Sequence, residues 1–157
     1  MNLAPPSPLS REHLATHVGI DVVDLPGFRA QLEDPASRFA THTFTEAERT
    51  AAALRPGADP ARHLAARFAA KEAFLKAWDG AYWGRRPPLE APVDLREIEV
   101  VSDPWGRPTL AFHGRVADHL PRTLMTSVSL SHDGPVAVAV VQLAFSTGHS
   151  GQPEDRS

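Results

Sequence analysis

Residues 59–78, DPARHLAARFAAKEAFLKAW, constrain the fold more than any other segment of this chain. Asp59 is a good N-cap, Pro60 suits the first helical position, and Asp79-Gly80 supplies a stop. Between these signals lie mostly strong helix formers, and Leu64, Phe68, Leu75 and Trp78 recur at helical spacing. The segment predicts one amphipathic helix about 30 Å long. Its apolar stripe needs a partner surface, so the remaining question is which strands supply it.

The strands are short. In VGIDVV, residues 18–23, Val18, Ile20 and Val22 share one face and Asp21 points the other way. Residues 27–32 suit a short helix that Asp34-Pro35 breaks. Thr45 and Glu48 place an acid three residues after a capping hydroxyl, which starts another helix. Beyond a Pro- and Gly-rich loop at 80–92, residues 97–100 and 108–112 can pair around Asp103-Pro104-Trp105-Gly106, a type I turn sequence. Residues 114–120 read as a short helix closed by Pro121. Residues 126–130 and 136–143 read as a final hairpin around His132-Asp133-Gly134. The last strand is apolar on both faces and is expected at the centre of its sheet. Strands and helices do not alternate, so the fold class is α+β: a mostly antiparallel sheet packed with one long and several short helices. At 157 residues the chain suits one domain. Residues 1–16 read as a mobile N-terminal extension, 17–145 as the folded domain, and 146–157 as a disordered polar tail.

Composition removes several function classes. Cysteine is absent, so disulfides, thiolate metal sites and cysteine nucleophiles are excluded together. Sixteen Lys and Arg against nineteen Asp and Glu give a net charge of -3, a poor footprint for nucleic acid. The longest apolar run, residues 136–141, is too short for a membrane span, and the start lacks the core of a signal peptide. A cytoplasmic protein is expected. No GxxxxGK[ST], GxGxxG or GxSxG motif occurs. His13 and His17 stand four apart without forming HExxH, and read as surface histidines.

Chemistry concentrates in three places. The long helix carries Arg67, Lys71, Glu72 and Lys76 within three turns; Lys71 falls inside the apolar stripe and Glu72 at its edge. A cation aimed into an apolar stripe is costly unless an anion meets it or its stem snorkels out. Spacing alone leaves two readings open: an ordinary Glu72–Lys76 pair with a snorkelling Lys71, or a site for an anionic ligand. Asp21 interrupts a β-rich run, yet alone it is equally an acid on a wet face. Ser129, Ser131, His132 and Asp133 gather hydroxyls, an imidazole and a carboxylate at a strand end, which is also the chemistry of a capped turn.

Taken in order, VGIDVVDL, FTEAE, ARFAAKEAFLKAW, IEVVSDPWGRPTL and SLSHDG before an apolar strand resemble the holo-acyl-carrier-protein synthases, the small phosphopantetheinyl transferases. The resemblance covers residues 18–143, and ARHLAARFAAKEA and DPWGRP look most like the actinobacterial branch. It implies a 4'-phosphopantetheinyl transferase-like fold. It also implies a reaction of fatty acid biosynthesis: the phosphopantetheine arm of coenzyme A moves to a serine of an acyl carrier protein, or of a carrier domain of a fatty acid synthase. Adenosine 3',5'-bisphosphate is released. By the same resemblance Asp21 and Glu72 bind Mg²⁺, whose hard-oxygen preference two carboxylates, water and substrate phosphates satisfy. Arg67, Lys71, Lys76 and His132 become the partners of coenzyme A phosphates. Glu72, Lys76, His132 and Asp133 become the catalytic set, with Glu72, His132 and Asp133 all open as acceptors of the serine proton. The family is trimeric, which implies a homotrimer with sites between subunits and the His132 loop approaching a neighbour's Asp21 and Glu72.

Two stretches depart from the family pattern. In PGFRAQLEDPASRF, Arg29 and Arg38 are offset by Glu33 and Asp34 where family members carry a basic docking segment. In DGAYWGRRPPLEAP, bulky Tyr82 and Trp83 enter a Gly-rich loop, and Arg85 or Arg86 is a further phosphate candidate. A reading from another class is a catalytically silent module of the same fold that binds coenzyme A or carrier proteins. The complete set of Asp21, Glu72 and Lys76 favours the enzyme.

Overall fold

The computed structural model describes residues 13–54, 57, 59–90 and 92–147. Strand β1 (His13–Asp24) leads into helix α1 (Leu25–Glu33), whose N-cap Asp24 accepts from the Gly27 N–H. Two short helices follow, α2 (Phe39–Thr43) and α3 (Glu46–Ala53). The capping box read from Thr45 and Glu48 is present in both directions, satisfying two backbone donors at once. The long helix α4 (Pro60–Gly80) has Asp59 as its N-cap, accepting from the Ala61 N–H. A 3₁₀ turn (Leu95–Glu97) introduces β2 (Ile98–Ser102), which pairs with β3 (Pro108–Phe112). The intervening turn closes through Gly106 N–H to the Asp103 carbonyl, as its sequence predicts. Helix α5 (Gly114–His119) precedes the hairpin of β4 (Met125–Asp133) and β5 (Val136–Thr147).

The sheet order is β1-β5-β4, antiparallel throughout, with β2-β3 as a second, two-stranded sheet. β5 is central, as its apolar sequence requires. β1 begins at His13, ahead of the strand read at Val18, because residues 13–16 pair with the end of β5: His13 lies opposite Thr147 and Thr16 opposite Ala144. Strand pairing therefore begins before residue 17 and continues past residue 145. The remaining parts of the N-terminal extension and the C-terminal tail, residues 1–12 and 148–157, lie outside the described residues.

Helix α4 lies across one face of the three-stranded sheet, and the contact is built from small side chains. Ala65, Ala69, Ala70, Ala73 and Ala77 of α4 are buried, as are Ala137 and Ala139 of β5. Gly19 of β1 touches the helix itself: a Cβ there would stand 1.9 Å from the Ala73 carbonyl oxygen. Leu64 and Trp78 are buried as their spacing predicts, whereas Phe68 and Leu75 are half-buried and the alanines are enclosed more completely. Around this contact sit two aromatic groups, Phe28, Phe39, Phe44 and Phe68 on one flank and Phe74, Trp78 and Phe112 on the other.

The apolar face of β1 is the outer one. Val18, Ile20 and Val22 are 68%, 55% and 60% exposed, and Val140 of β5 stands opposite Ile20 on the same side. Asp21 shares the other face with Gly19 and Val23, against α4. Among the described residues no helix is long and apolar enough to cross a membrane.

Candidate active site

Gly19 determines where Asp21 sits. With no Cβ to hold the elements apart, β1 approaches α4 near Ala73 and Ala77, and Asp21 comes down beside Glu72 and Lys76. Asp21 and Glu72 line one open cleft of about 500 Å³, together with Phe28, Gln31 and Phe68. Lys76 donates to Asp21 Oδ1 at 2.7 Å and to the Ile20 carbonyl at 3.1 Å. Its own side chain is 55% exposed, so the ammonium group stays open to a ligand. The ion pair thus joins Lys76 to Asp21 on the strand, not to Glu72 on its own helix. Burial pushes the Glu72 carboxyl above its ordinary range, and the neighbouring Asp21 charge pushes it further, against the opposing pull of Lys76. Two acids held close while one resists ionisation suit a cation better than they suit each other.

These residues fit a divalent ion. Asp21 and Glu72 supply two hard oxygen donors in one cleft, and the repulsion between them is what a cation would relieve. Among the described residues no cluster of three or more metal-ligating side chains forms, so the protein gives such an ion only part of its shell.

Arg67 and His132 meet in a second cleft, of about 470 Å³, between the first half of α4, the β2-β3 turn and β4. Its lining also includes His63, one turn before Arg67, together with Ser129 and Ser131. Arg67 Nη1 donates to the His63 carbonyl at 3.3 Å. Two imidazoles and a guanidinium make a lining suited to a polyanion. The two clefts flank α4 and are separate in the single chain.

Three expectations need correction. Lys71 does not reach either cleft. Its side chain and that of Glu48 are both 0% exposed, and its Nζ donates to Glu48 Oε2 at 2.7 Å, the Thr43 carbonyl at 2.8 Å and the Leu95 carbonyl at 2.9 Å. All three ammonium protons are used, so none is left for a phosphate and the stem does not snorkel. Burial pulls the Lys71 pKa down while the charge and hydrogen bond of Glu48 pull it up. Second, His132 and Asp133 belong to β4 and not to the turn, since they pair with Ala137 and Val136. Successive strand residues face opposite ways, so His132 shares a face with buried Ala137, and Asp133 shares the outer face with exposed Val136. Asp133 does not line the Arg67–His132 cleft. Third, Arg85 bonds the Ala81 carbonyl and Arg86 pairs with Glu90, so neither turns to a cleft. Arg29, already offset by acids in sequence, is also engaged by Asp59 at the start of α4.

Sequence reasoning missed three contributors. His63 could have been found from its i,i+4 spacing to Arg67. Gly19, an isolated glycine inside a strand, signals close approach of another backbone. Glu48 was read only as a capping acid, and nothing local shows that it also meets Lys71.

An α+β fold with a carboxylate pair on one flank of its long helix and a basic cleft on the other defines a protein that handles a charged, phosphate-bearing ligand. The comparisons then specify the family. The model of the 4'-phosphopantetheinyl transferase superfamily matches residues 17–141. A curated holo-[acyl-carrier-protein] synthase of Mycobacterium sp. (strain KMS) is 49% identical over 123 residues, 78% of this chain and 92% of the relative. The apo ACPS structure of Chronobacterium ammoniagenes superposes with a TM-score of 0.78 at 41% identity, covering 85% of this chain and 99% of that one. Its complex with CoA gives 0.76 at 42% identity, covering 83% and 98%. This chain belongs to the 4'-phosphopantetheinyl transferase superfamily, and its resemblance to the actinobacterial synthases holds over most of its length.

Proposed function

We propose that this chain is a holo-acyl-carrier-protein synthase, the enzyme that moves the 4'-phosphopantetheine arm of coenzyme A to a serine of an apo acyl carrier protein. The observation that carries the reading is the shared cleft of Asp21 and Glu72 with Lys76 bonded at its side, in a chain of this family. The serine oxygen attacks the pyrophosphate phosphorus that bears the pantetheine arm. The bond from that phosphorus to the bridging oxygen breaks, adenosine 3',5'-bisphosphate leaves, and the serine proton passes to a base.

Mg²⁺ held by Asp21 and Glu72 would neutralise charge on the phosphate oxygens. Lys76 adds a mobile point charge next to Asp21 and can turn its ammonium to a phosphate when substrate arrives. Arg67 and His132 suit the remaining phosphates of coenzyme A, the guanidinium through its fork. We assign the serine proton to Glu72, directly or through a water, because its carboxylate lines the cleft with Asp21 beside Lys76.

The same geometry supports a homotrimer. Val18, Ile20, Val22, Met125 and Val140 leave the outer face of the three-stranded sheet apolar and exposed. A ring of three chains covers such a face symmetrically. In this reading the Arg67–His132 cleft of one subunit meets the Asp21–Glu72 cleft of the next. In this reading the enzyme loads carriers for fatty acid biosynthesis. The experiment is direct: incubate the protein with coenzyme A, Mg²⁺ and an apo carrier protein, and record the intact carrier mass. One added phosphopantetheine on the acceptor serine supports the reading; an unchanged carrier with a well-folded protein refutes it.

A further inference from the structure

The buried Lys71–Glu48 pair has no contact with either cleft, yet Lys71 is the residue immediately before Glu72 in α4. Three elements converge on its Nζ: the end of α2 through the Thr43 carbonyl, α3 through Glu48, and the 3₁₀ turn through the Leu95 carbonyl. Glu48 is fixed in turn. Its Oε2 accepts from the Thr45 N–H at 2.9 Å and its Oε1 from the Val100 N–H of β2 at 3.0 Å. Nζ also stands 5.2 Å from the centre of the Phe44 ring. The pair is fully satisfied and directional.

As a source of stability this is a poor arrangement. Taking two charges out of water is costly, and well-packed apolar residues of similar volume often serve a fold as well. Its use lies in direction. The surface that α4 presents to the sheet is lined by Ala65, Ala69, Ala73 and Ala77 and met by Gly19. Methyl groups pack closely but offer no long side chains to interlock, so rotation of the helix is resisted from its other sides, by buried Leu64, Phe74 and Trp78 and by the Lys71 tether. Side-chain ends lie about 5–6 Å from a helix axis, so a 20° rotation displaces them by about 2 Å. Reacting groups need placement within about 0.5 Å.

We propose, on the transferase reading above, that Lys71 and Glu48 are positioning residues that fix the rotation of α4 and so aim Glu72 at Asp21. Lys71 tethers one side of the helix to α2, α3 and the 3₁₀ turn. Glu72, about 100° around the helix, is thereby held over the cleft it shares with Asp21.

Two variants test this. Lys71→Met removes the tether and leaves Glu48 its bonds to the Thr45 and Val100 N–H groups. Lys71→Gln with Glu48→Gln keeps polar groups in place and removes the charges. Each is measured well below its own melting temperature for kcat with coenzyme A and apo carrier. Each is also measured without substrates for Mn²⁺ affinity, by electron paramagnetic resonance. Positioning predicts folded variants with kcat reduced tenfold or more and the Mn²⁺ Kd raised at least fivefold. Folded variants with parental kcat and Mn²⁺ affinity overturn the proposal. So does a change in one quantity without the other, because the effect then does not pass through Glu72. Failure of both variants to fold assigns the pair to stability alone and also overturns it. A parent protein that transfers no arm defeats the transferase reading instead, and the Mn²⁺ comparison still decides the role of Lys71.

Discussion

Adding one methyl group to Gly19 should separate the two halves of the acidic cleft. The Cβ of Gly19→Ala would stand 1.9 Å from the Ala73 carbonyl oxygen, 2.9 Å from its carbon and 2.8 Å from the Ala77 nitrogen. Real contacts of this kind do not fall below 3.0 Å, and all three atoms are helix backbone, which has no rotamer to change. Strand and helix must part by about 1 Å, in an interior packed with little free volume. Overpacking of this sort costs about 3 kcal/mol at the upper end of its usual range. For a chain of this length that lowers Tm by about 6–12 °C. The separation also stretches the 2.7 Å bond from Lys76 to Asp21 and withdraws Asp21 from Glu72. Activity should therefore fall even at temperatures where the variant is fully folded. Calorimetry and initial rates of carrier modification, taken on one preparation, measure both effects. A Gly19→Ala protein with parental Tm and parental rate would falsify the claim that this contact sets the cleft.

Three further outcomes follow from the same geometry. Lys76→Ala removes a largely exposed ion pair worth about 0.2–1 kcal/mol, so Tm should fall by no more than about 4 °C. Its kcat/KM should fall at least tenfold; a proportionate small loss of both would reduce Lys76 to a surface pair. Glu72 carries a raised pKa from burial and from Asp21, so the folded state holds its proton more tightly than the unfolded chain. Stability contributed by this group is present below the ordinary value of 4.5 and is lost as pH rises through the folded pKa. Glu72→Gln should thus gain Tm relative to the parent at pH 7 but not at pH 4, and an equal difference at both would contradict the assignment. Ile20→Lys places a charge on the exposed apolar face of β1, and sedimentation should show it as a monomer beside an oligomeric parent.

Local signals carried most of the fold. The caps of α4, the Thr45–Glu48 box and the Asp103–Gly106 turn are each satisfied within a few residues, so their sequences suffice. Central placement of β5 followed from a strand apolar on both faces. What was illegible depended on partners distant in sequence. Which face of β1 is inner depends on Gly19 meeting Ala73, and the alternation of Val18, Ile20 and Val22 looks the same either way. The start of β1 at His13 is set by pairing with Thr147 at the far end of the chain. Asp21 and Glu72 were brought together as the family resemblance implies, whereas Lys71 was misplaced because its anion, Glu48, lies on a different helix. The separation of Asp133 from His132 rests on a register that moves the turn to Gly134-Pro135.

In the proposed function one reaction site is assembled from the two flanks of α4 in neighbouring chains. Co-expression of Glu72→Gln and His132→Ala chains in equal amounts tests it most directly, with each variant assayed alone as control. Random mixing in a closed ring pairs an intact Glu72 with a neighbour's intact His132 at about one site in four. Each variant alone should be nearly inactive, and the mixture should recover about a quarter of the parental rate of carrier modification. A mixture no more active than the two variants separately contradicts it, because both residues then serve a site within one chain.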